Sequence, residues 1–304
     1  MEHYNILKNN LNDKLFFKLS QIGYGLHSTL LFTNRIPGLE DNNYLLDNLK
    51  QGQSILYYAQ ANCLNFEMLI NILQKKNIKL NFYILDEPTV DTNIITKLLP
   101  YSINIFCNNN ILDHPQIHCL PIGIRDCENV CPSHKGFSHS YLFNEKNKIV
   151  DKDILCLLCF SITKDRQICY SELKDKIFVT NINDDYYATN NNPVFCGKVP
   201  ININYAFLHK SYYVLSPKGL GEDCHRFWEA IYLNTIPIVK RTKTAFDKLF
   251  NVFPCLIIDE WEQITKDFLE DNLKNCTEKM KLFHANYPNA FTDLDSIQEL
   301  LLQI

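Results

Sequence analysis

Apolar residues in this chain come mostly in short unbroken runs. Ile154–Phe160, Tyr212-Tyr213-Val214-Leu215 and Ile236-Pro237-Ile238-Val239 are examples. Runs of that length without polar alternation predict strands covered on both faces. Ser54–Tyr58, Leu80–Leu85, Ile103–Phe106, His118–Pro121, Lys176–Thr180 and Cys255–Ile258 read the same way. Helical spacing fills the gaps. It predicts helices over Met1–Ser20 (Leu7, Leu11, Leu15, Phe16 and Leu19 apolar), Phe66–Lys75, Thr92–Leu99, Lys164–Leu173, Tyr205–Ser211 and Phe246–Phe250. Trp261–Lys274, Glu278–Phe283 and Leu294–Gln303 follow. Strands that alternate with helices predict an α/β fold with parallel sheets. The polar stretch Lys135–Lys152 reads as a linker, which gives an N-terminal domain over 1–140 and a C-terminal domain over 141–304. Asn181–Asn192 reads as a long loop. The Asn runs at 108–110 and 190–192 are too short to impose disorder.

Between two of the predicted strands lies Ser216–Thr235, where polar chemistry is concentrated. Gly219 and Gly221 break the strand pattern and let backbone approach a ligand closely. Glu222 or Asp223 is positioned to cap a following helix. In that helix Cys224, Phe227, Trp228 and Ile231 fall on one face, and Glu222, His225, Arg226 and Glu229 on the other. Asn234 stands where a left-handed C-cap is wanted. A helix start attracts anions. Lys218 and Arg226 add charge-assisted bonds suited to a diphosphate, and Glu229 suits a sugar diol. The bland reading is a capped helix with solvated His225 and Arg226 and a Glu229 paired along the helix.

The same residues resemble the C-terminal signature of exostosin-like glycosyltransferases, S-P-x-G-x-G-x-D-C-H-R-x-W-E-A followed by a G-x-I-P-I-V strand. Ser216, Pro217, Gly219, Gly221, Asp223, Cys224, His225, Arg226, Trp228, Glu229 and Ala230 match it, as do Ile236 to Val239. Asn234 replaces the usual Gly. The resemblance covers about 153–265. It implies a GT-B architecture: two Rossmann-like domains across a cleft, with a nucleotide-sugar donor bound mainly by the second. Ser216 joins the expected donor site on this ground.

Composition narrows the classes. Of 304 residues, 46% are hydrophobic and 21% charged, which fits a globular protein. The formal charge of -4 lacks the basic footprint of a nucleic-acid binder. No apolar run reaches the length of a membrane helix. The opening MEHYNILKNNLNDK lacks a signal-peptide core. The resemblance implies a Golgi-type anchored enzyme, whereas these features and Met1 give a cytoplasmic expectation. Twelve cysteines occur, and Cys107, Cys156, Cys159 and Cys255 sit inside apolar runs. Buried, reduced thiols are therefore expected.

Other candidates complete the picture. Thr163 and Arg166 follow a predicted strand, where they resemble the first loop of the same donor domain. Thr163 is placed to N-cap and to bond a phosphate oxygen, and Arg166 adds charge. In an open α/β sheet that loop shares a crevice with Gly219–Arg226. Arg125 is a cleft candidate from the first half. A base to deprotonate the acceptor is sought there too. His27 after Gly23-Tyr24-Gly25-Leu26 and Asp86 or Glu87 at a strand end are alternatives. Cys127, Cys131 and His134 have zinc-ligand types at irregular spacing, and no metal is expected. The expected function is transfer of a sugar from a nucleotide-sugar donor to a glycan or other hydroxyl acceptor, inverting and without a divalent metal or other cofactor. The alternative is a non-catalytic nucleotide-sugar or glycan-binding protein. A nicotinamide-dependent dehydrogenase is disfavoured, since no early strand is followed by G-x-G-x-x-G.

Overall fold

In the first half, strands β1 (Thr29–Phe32), β2 (Ser54–Tyr58), β3 (Leu80–Leu85), β4 (Ser102–Cys107) and β5 (Ile117–Cys119) form one sheet in sequential order, every pair parallel. The computed structural model describes residues 29–32, 49–52, 54–58, 64–85, 92–124, 138–163, 166–183, 199–288 and 300–302. Helices α1 (Leu64–Lys76) and α2 (Thr92–Leu98) cross between strands. A parallel sheet that always steps the same way carries right-handed crossovers on one face. The packing agrees. Phe66, Leu69 and Leu73 of α1 and Ile95 and Leu98 of α2 share a core with Phe82, Ile84, Ile105 and Cys107. The alternate residues point to the other face. There Tyr83 stacks on Phe106 at 4.8 Å, and Phe106 on His118 at 5.0 Å. That face merges with the main core, which also takes in Leu300 and Leu301.

The second half contains α3 (Ser138–Lys146), β6 (Ile154–Leu158), α4 (Gln167–Leu173), β7 (Val179–Asn181), α5 (Ile201–Lys210), β8 (Ser211–Leu215), α6 (His225–Tyr232), β9 (Ile236–Lys240), α7 (Phe246–Val252), β10 (Leu256–Ile258) and α8 (Lys266–Asn286). Its strands are parallel, in the order β10-β9-β8-β6-β7. The two-sheet α/β architecture expected for a GT-B protein is therefore present. The halves differ in one respect that matters. The chain leaves β6 toward β7 and then returns past it to β8, so strand order reverses between β6 and β8. The described part of the first sheet has no reversal.

Two local expectations change and one holds. The polar stretch 135–152 carries α3, whose Leu142 is fully buried. With one strong apolar anchor its period was too weak to show. The two helices expected within 261–283 are a short 3₁₀ turn, Trp261–Gln263, and the single helix α8. The cysteines among the described residues are buried thiols outside any disulfide. Among those residues no helix is long and apolar enough to cross a membrane.

Asn234 meets its expectation. Its φ is 58°, its N–H donates to Ile231 O at 3.1 Å, and Thr235 N–H reaches Ala230 O at 2.8 Å. This double bond closes α6 and turns the chain into β9. Asn234→Ala is expected to cost about 1 kcal/mol in chemical denaturation, because Ala tolerates the left-handed region poorly, while Asn234→Gly is expected to be near neutral.

Candidate functional site

Ligands of open α/β sheets bind outside the carboxyl ends of the strands, where strand order reverses. In this chain that point is flanked by residues 159–163 and Arg166 after β6 and by 216–224 after β8. The two loops are in contact. Arg166 Nε donates to Lys218 O at 2.9 Å, and Arg166 Nη1 donates to Ser161 O at 3.3 Å. Gly219 permits this, since a Cβ there would lie 3.0 Å from Arg166 Nη2.

Two guanidinium groups converge on one ring. Arg226 lies 5.4 Å from the Phe160 centroid and Arg166 6.0 Å. Phe160 is buried, and Asn183 clamps its backbone: Phe160 N–H donates to Asn183 Oδ1 at 3.2 Å, and Asn183 Nδ2 donates to Phe160 O at 2.7 Å. The ring's quadrupole helps hold like charges near one another. Arg226 Nη1 reaches Cys224 Sγ at 3.9 Å, while its buried Nε has no hydrogen-bond partner among the described residues. A buried charged donor without an acceptor is costly. An anion in the crevice would supply the acceptor.

The nearby carboxylates do not oppose such an anion. Glu222 lies 3.8 Å from Lys218 Nζ. Asp223 turns away: its Oδ2 accepts from Ile122 N–H at 2.9 Å and Trp228 Nε1 at 2.8 Å. Neither residue caps α6, whose N-cap is Cys224 without a side-chain bond. Ser216 Oγ and Cys224 Sγ, 3.2 Å apart, fix the loop from inside.

The signature segment is also fastened to the first half, which its sequence did not indicate. Asn109 Oδ1 accepts from Glu222 N–H at 2.9 Å, and His225 Nδ1 meets Gly123 O at 2.8 Å. A carbonyl only accepts, so Nδ1 carries the proton in that bond. Gly221 has a steric reason for being Gly: a Cβ would fall 2.0 Å from Asn109 Oδ1. Asn109 is buried, so it cannot swing clear without losing its bond to Glu222. Gly221→Ala is expected to destabilise by about 2 kcal/mol. Adding Asn109→Ala should cost less than the sum of the two single changes. Strict additivity in urea denaturation would contradict the contact.

Two expectations about side chains are corrected. Glu229 is only 3% exposed, and Tyr205 Oη donates to its Oε1 at 3.1 Å. It therefore lies within the packed body of α6, not on a solvated face. Residues Phe227 to Ile231 are all buried. Trp228 packs 4.7 Å from both Phe227 and Phe253. A helix enclosed on several sides carries no clean polar stripe. Thr163 is exposed and does not cap α4 with its side chain; its carbonyl accepts from Arg166 N–H and Gln167 N–H, both at 3.0 Å.

Of the expected donor residues, Arg166, Ser216, Lys218, Gly219, His225 and Arg226 meet around the crevice, with Thr163 at its edge and Gly221 and Glu229 packed behind it. His27, Asp86, Glu87 and Arg125 lie outside the described residues, as do Cys127, Cys131 and His134. Among the described residues no three His, Cys, Asp or Glu side chains gather as a metal site. Phe160, Asn109 and Asn183 were missed. The Asn108-Asn109-Asn110 run was the available signal, and all three residues are buried.

The fold and site define an α/β protein of two parallel sheets with a cationic crevice at the switch point of the second. No protein-family model matches the chain, and no curated protein matches it in sequence. Among solved structures, a Listeria monocytogenes protein provisionally assigned as a UDP-N-acetylglucosamine 2-epimerase aligns over 75% of this chain and 68% of its own. The TM-score is 0.34 and the identity 11%. A likeness of that size carries no argument about chemistry, so the resemblance of the signature segment rests on its own residues.

Proposed function

We propose that this chain is a nucleotide-sugar-dependent glycosyltransferase whose second half binds the donor. The observation that carries the reading is the convergence of Arg166 and Arg226 on Phe160 beside the glycine loop, at the switch point of the sheet. The two guanidiniums, Lys218 and the start of α6 would hold the donor diphosphate and stabilise it as it leaves. Thr163 and Ser216 would contribute from the loops. Glu229, packed behind the crevice and held by Tyr205, would brace its wall, and His225, fixed on Gly123, would shape the same wall.

Transfer with inversion needs a base on the acceptor side. His27, Asp86 and Glu87 are the proposed alternatives, with Arg125 reaching the cleft. The acceptor would be a glycan or other hydroxyl compound. Arginine and lysine would take the role that a divalent ion fills elsewhere, so transfer is proposed to proceed without added metal. Complete loss with EDTA, restored by manganese, would contradict that part.

The test is a thermal-shift panel of nucleoside diphosphates and nucleotide sugars, followed by product analysis with mixed acceptors. A ligand at 100 times its Kd should stabilise by ~2.7 kcal/mol. If no nucleotide shifts the protein, the donor assignment fails. A donor that shifts it but is neither hydrolysed nor transferred would identify a binding protein on this fold.

A further inference from the structure

A cavity of about 660 Å³ opens beside Lys152, Tyr212 and Ile236, at the amino ends of β6, β8 and β9. This is the edge of the second sheet opposite the crevice just described. Its volume is that of a small-molecule site. Tyr212, Ile236 and Met280 give it an apolar lining. Its charge has one sign: Lys146, Lys152, Lys281 and His284 line it, and among the described residues no Asp or Glu does.

The basic side chains are brought together from three separate places: the end of α3, the approach to β6 and one face of α8. Lys152 Nζ donates to His209 O at 2.9 Å, Ser211 O at 2.5 Å and Thr235 Oγ1 at 3.0 Å, so its position is fixed. Lys146 sits 5.5 Å from the Tyr232 ring centroid. Lys281 pairs at 2.8 Å with Glu278, a residue outside the lining. His284 Nε2 meets Ile231 O at 3.1 Å. Burial, then the charge of Lys146, pushes Lys152 down to about 7 and lowers His284. Cations that disfavour one another across an open cavity create a potential that an anion relieves.

We propose that this cavity is a second ligand site, taking a small organic anion with its phosphate or carboxylate head toward Lys146 and Lys281 and its apolar body on Tyr212, Ile236 and Met280. The proposed transferase chemistry makes no use of it.

Phenyl phosphate and benzoate are the probes, with phenol as the neutral control, in calorimetric titrations at low salt. At least one anion should bind the wild type, and phenol should not. Lys146→Gln combined with Lys281→Gln should weaken that binding about tenfold or more. Lys281→Gln alone, at an exposed position, should give a smaller loss in the same direction. Arg166→Ala, in the other crevice, should bind like the wild type. The tighter of the two anions identifies the head group. Absence of binding by both at millimolar concentration, equal binding by the double variant, or loss in Arg166→Ala would overturn the proposal.

Discussion

Arg226→Ala is expected to weaken binding of nucleoside diphosphates about a hundredfold while leaving the protein folded. Arg226 brings to the crevice a delocalised charge 5.4 Å from the Phe160 ring centroid and a buried Nε–H without a partner among the described residues. A diphosphate oxygen would accept from that Nε–H. Truncation would remove both the bond and the charge, at a cost of roughly 2–3 kcal/mol or about a hundredfold in Kd. Stability should fall less, by about 1 kcal/mol, the size of a single cation–π contact. Arg226→Lys should rescue poorly, since an ammonium has no planar fork and does not stack. Arg166→Ala should weaken binding too, and should also free the Lys218 carbonyl and loosen the loop. Calorimetry with uridine and guanosine diphosphates measures these effects. Unchanged affinity in Arg226→Ala would remove the basis of the donor site.

The largest effect on stability is expected at Asp223. Its carboxylate is buried, joins Ile122 of the first half to Trp228 of α6, and leaves Oδ1 without a hydrogen-bond partner among the described residues. Asp223→Ala would strand two buried N–H donors and cost about 3–4 kcal/mol. Asp223→Asn keeps an acceptor for both donors and should cost far less. The pH dependence separates the two forms. Burial raises Asp223 from 3.8 to about 6, against the lowering effect of its hydrogen bonds. A carboxyl raised on folding binds more protons in the native state between those values. Its contribution is complete below pH 3.8 and is lost as pH rises through about 6. The integrated change is ~3 kcal/mol. Urea denaturation of wild type and Asp223→Asn across pH 4–7 should show this slope in the wild type alone. Parallel curves would mean that folding does not raise the Asp223 carboxyl.

Those two residues also show where reading the sequence succeeds and where it stops. Arg226 stood out because a basic residue follows a glycine loop at a strand–helix junction, and that junction is local. Its neighbour Arg166 was reachable by the general rule that loops at adjacent strand ends share a crevice. Asp223 was misread as a cap. A short carboxylate before a helix usually bonds the helix's own amides, and nothing nearby reveals a competing donor at Ile122. Glu229 was placed on a polar face because spacing describes a helix with one buried side. The aromatic packing of Phe227, Trp228 and Phe253 encloses α6 more fully. Gly221 looked like a ligand-approach glycine, yet the group pressed against it is Asn109.

Local patterns in the sequence sufficed for every described strand but β1 and every described helix but α3, for the left-handed turn at Asn234 and for the concentration of cationic chemistry in 216–226. Each depends on periodicity or backbone preference over a few residues, and those act within a short window. Tertiary structure alone decided the reversal of strand order at β6, the Phe160 ring shared by two arginines and the tie from Asp223 to Ile122. It also gathered Lys146, Lys152, Lys281 and His284 around one cavity. These features depend on which distant segments meet, and that is set by how whole faces bury one another, not by any local pattern of residues.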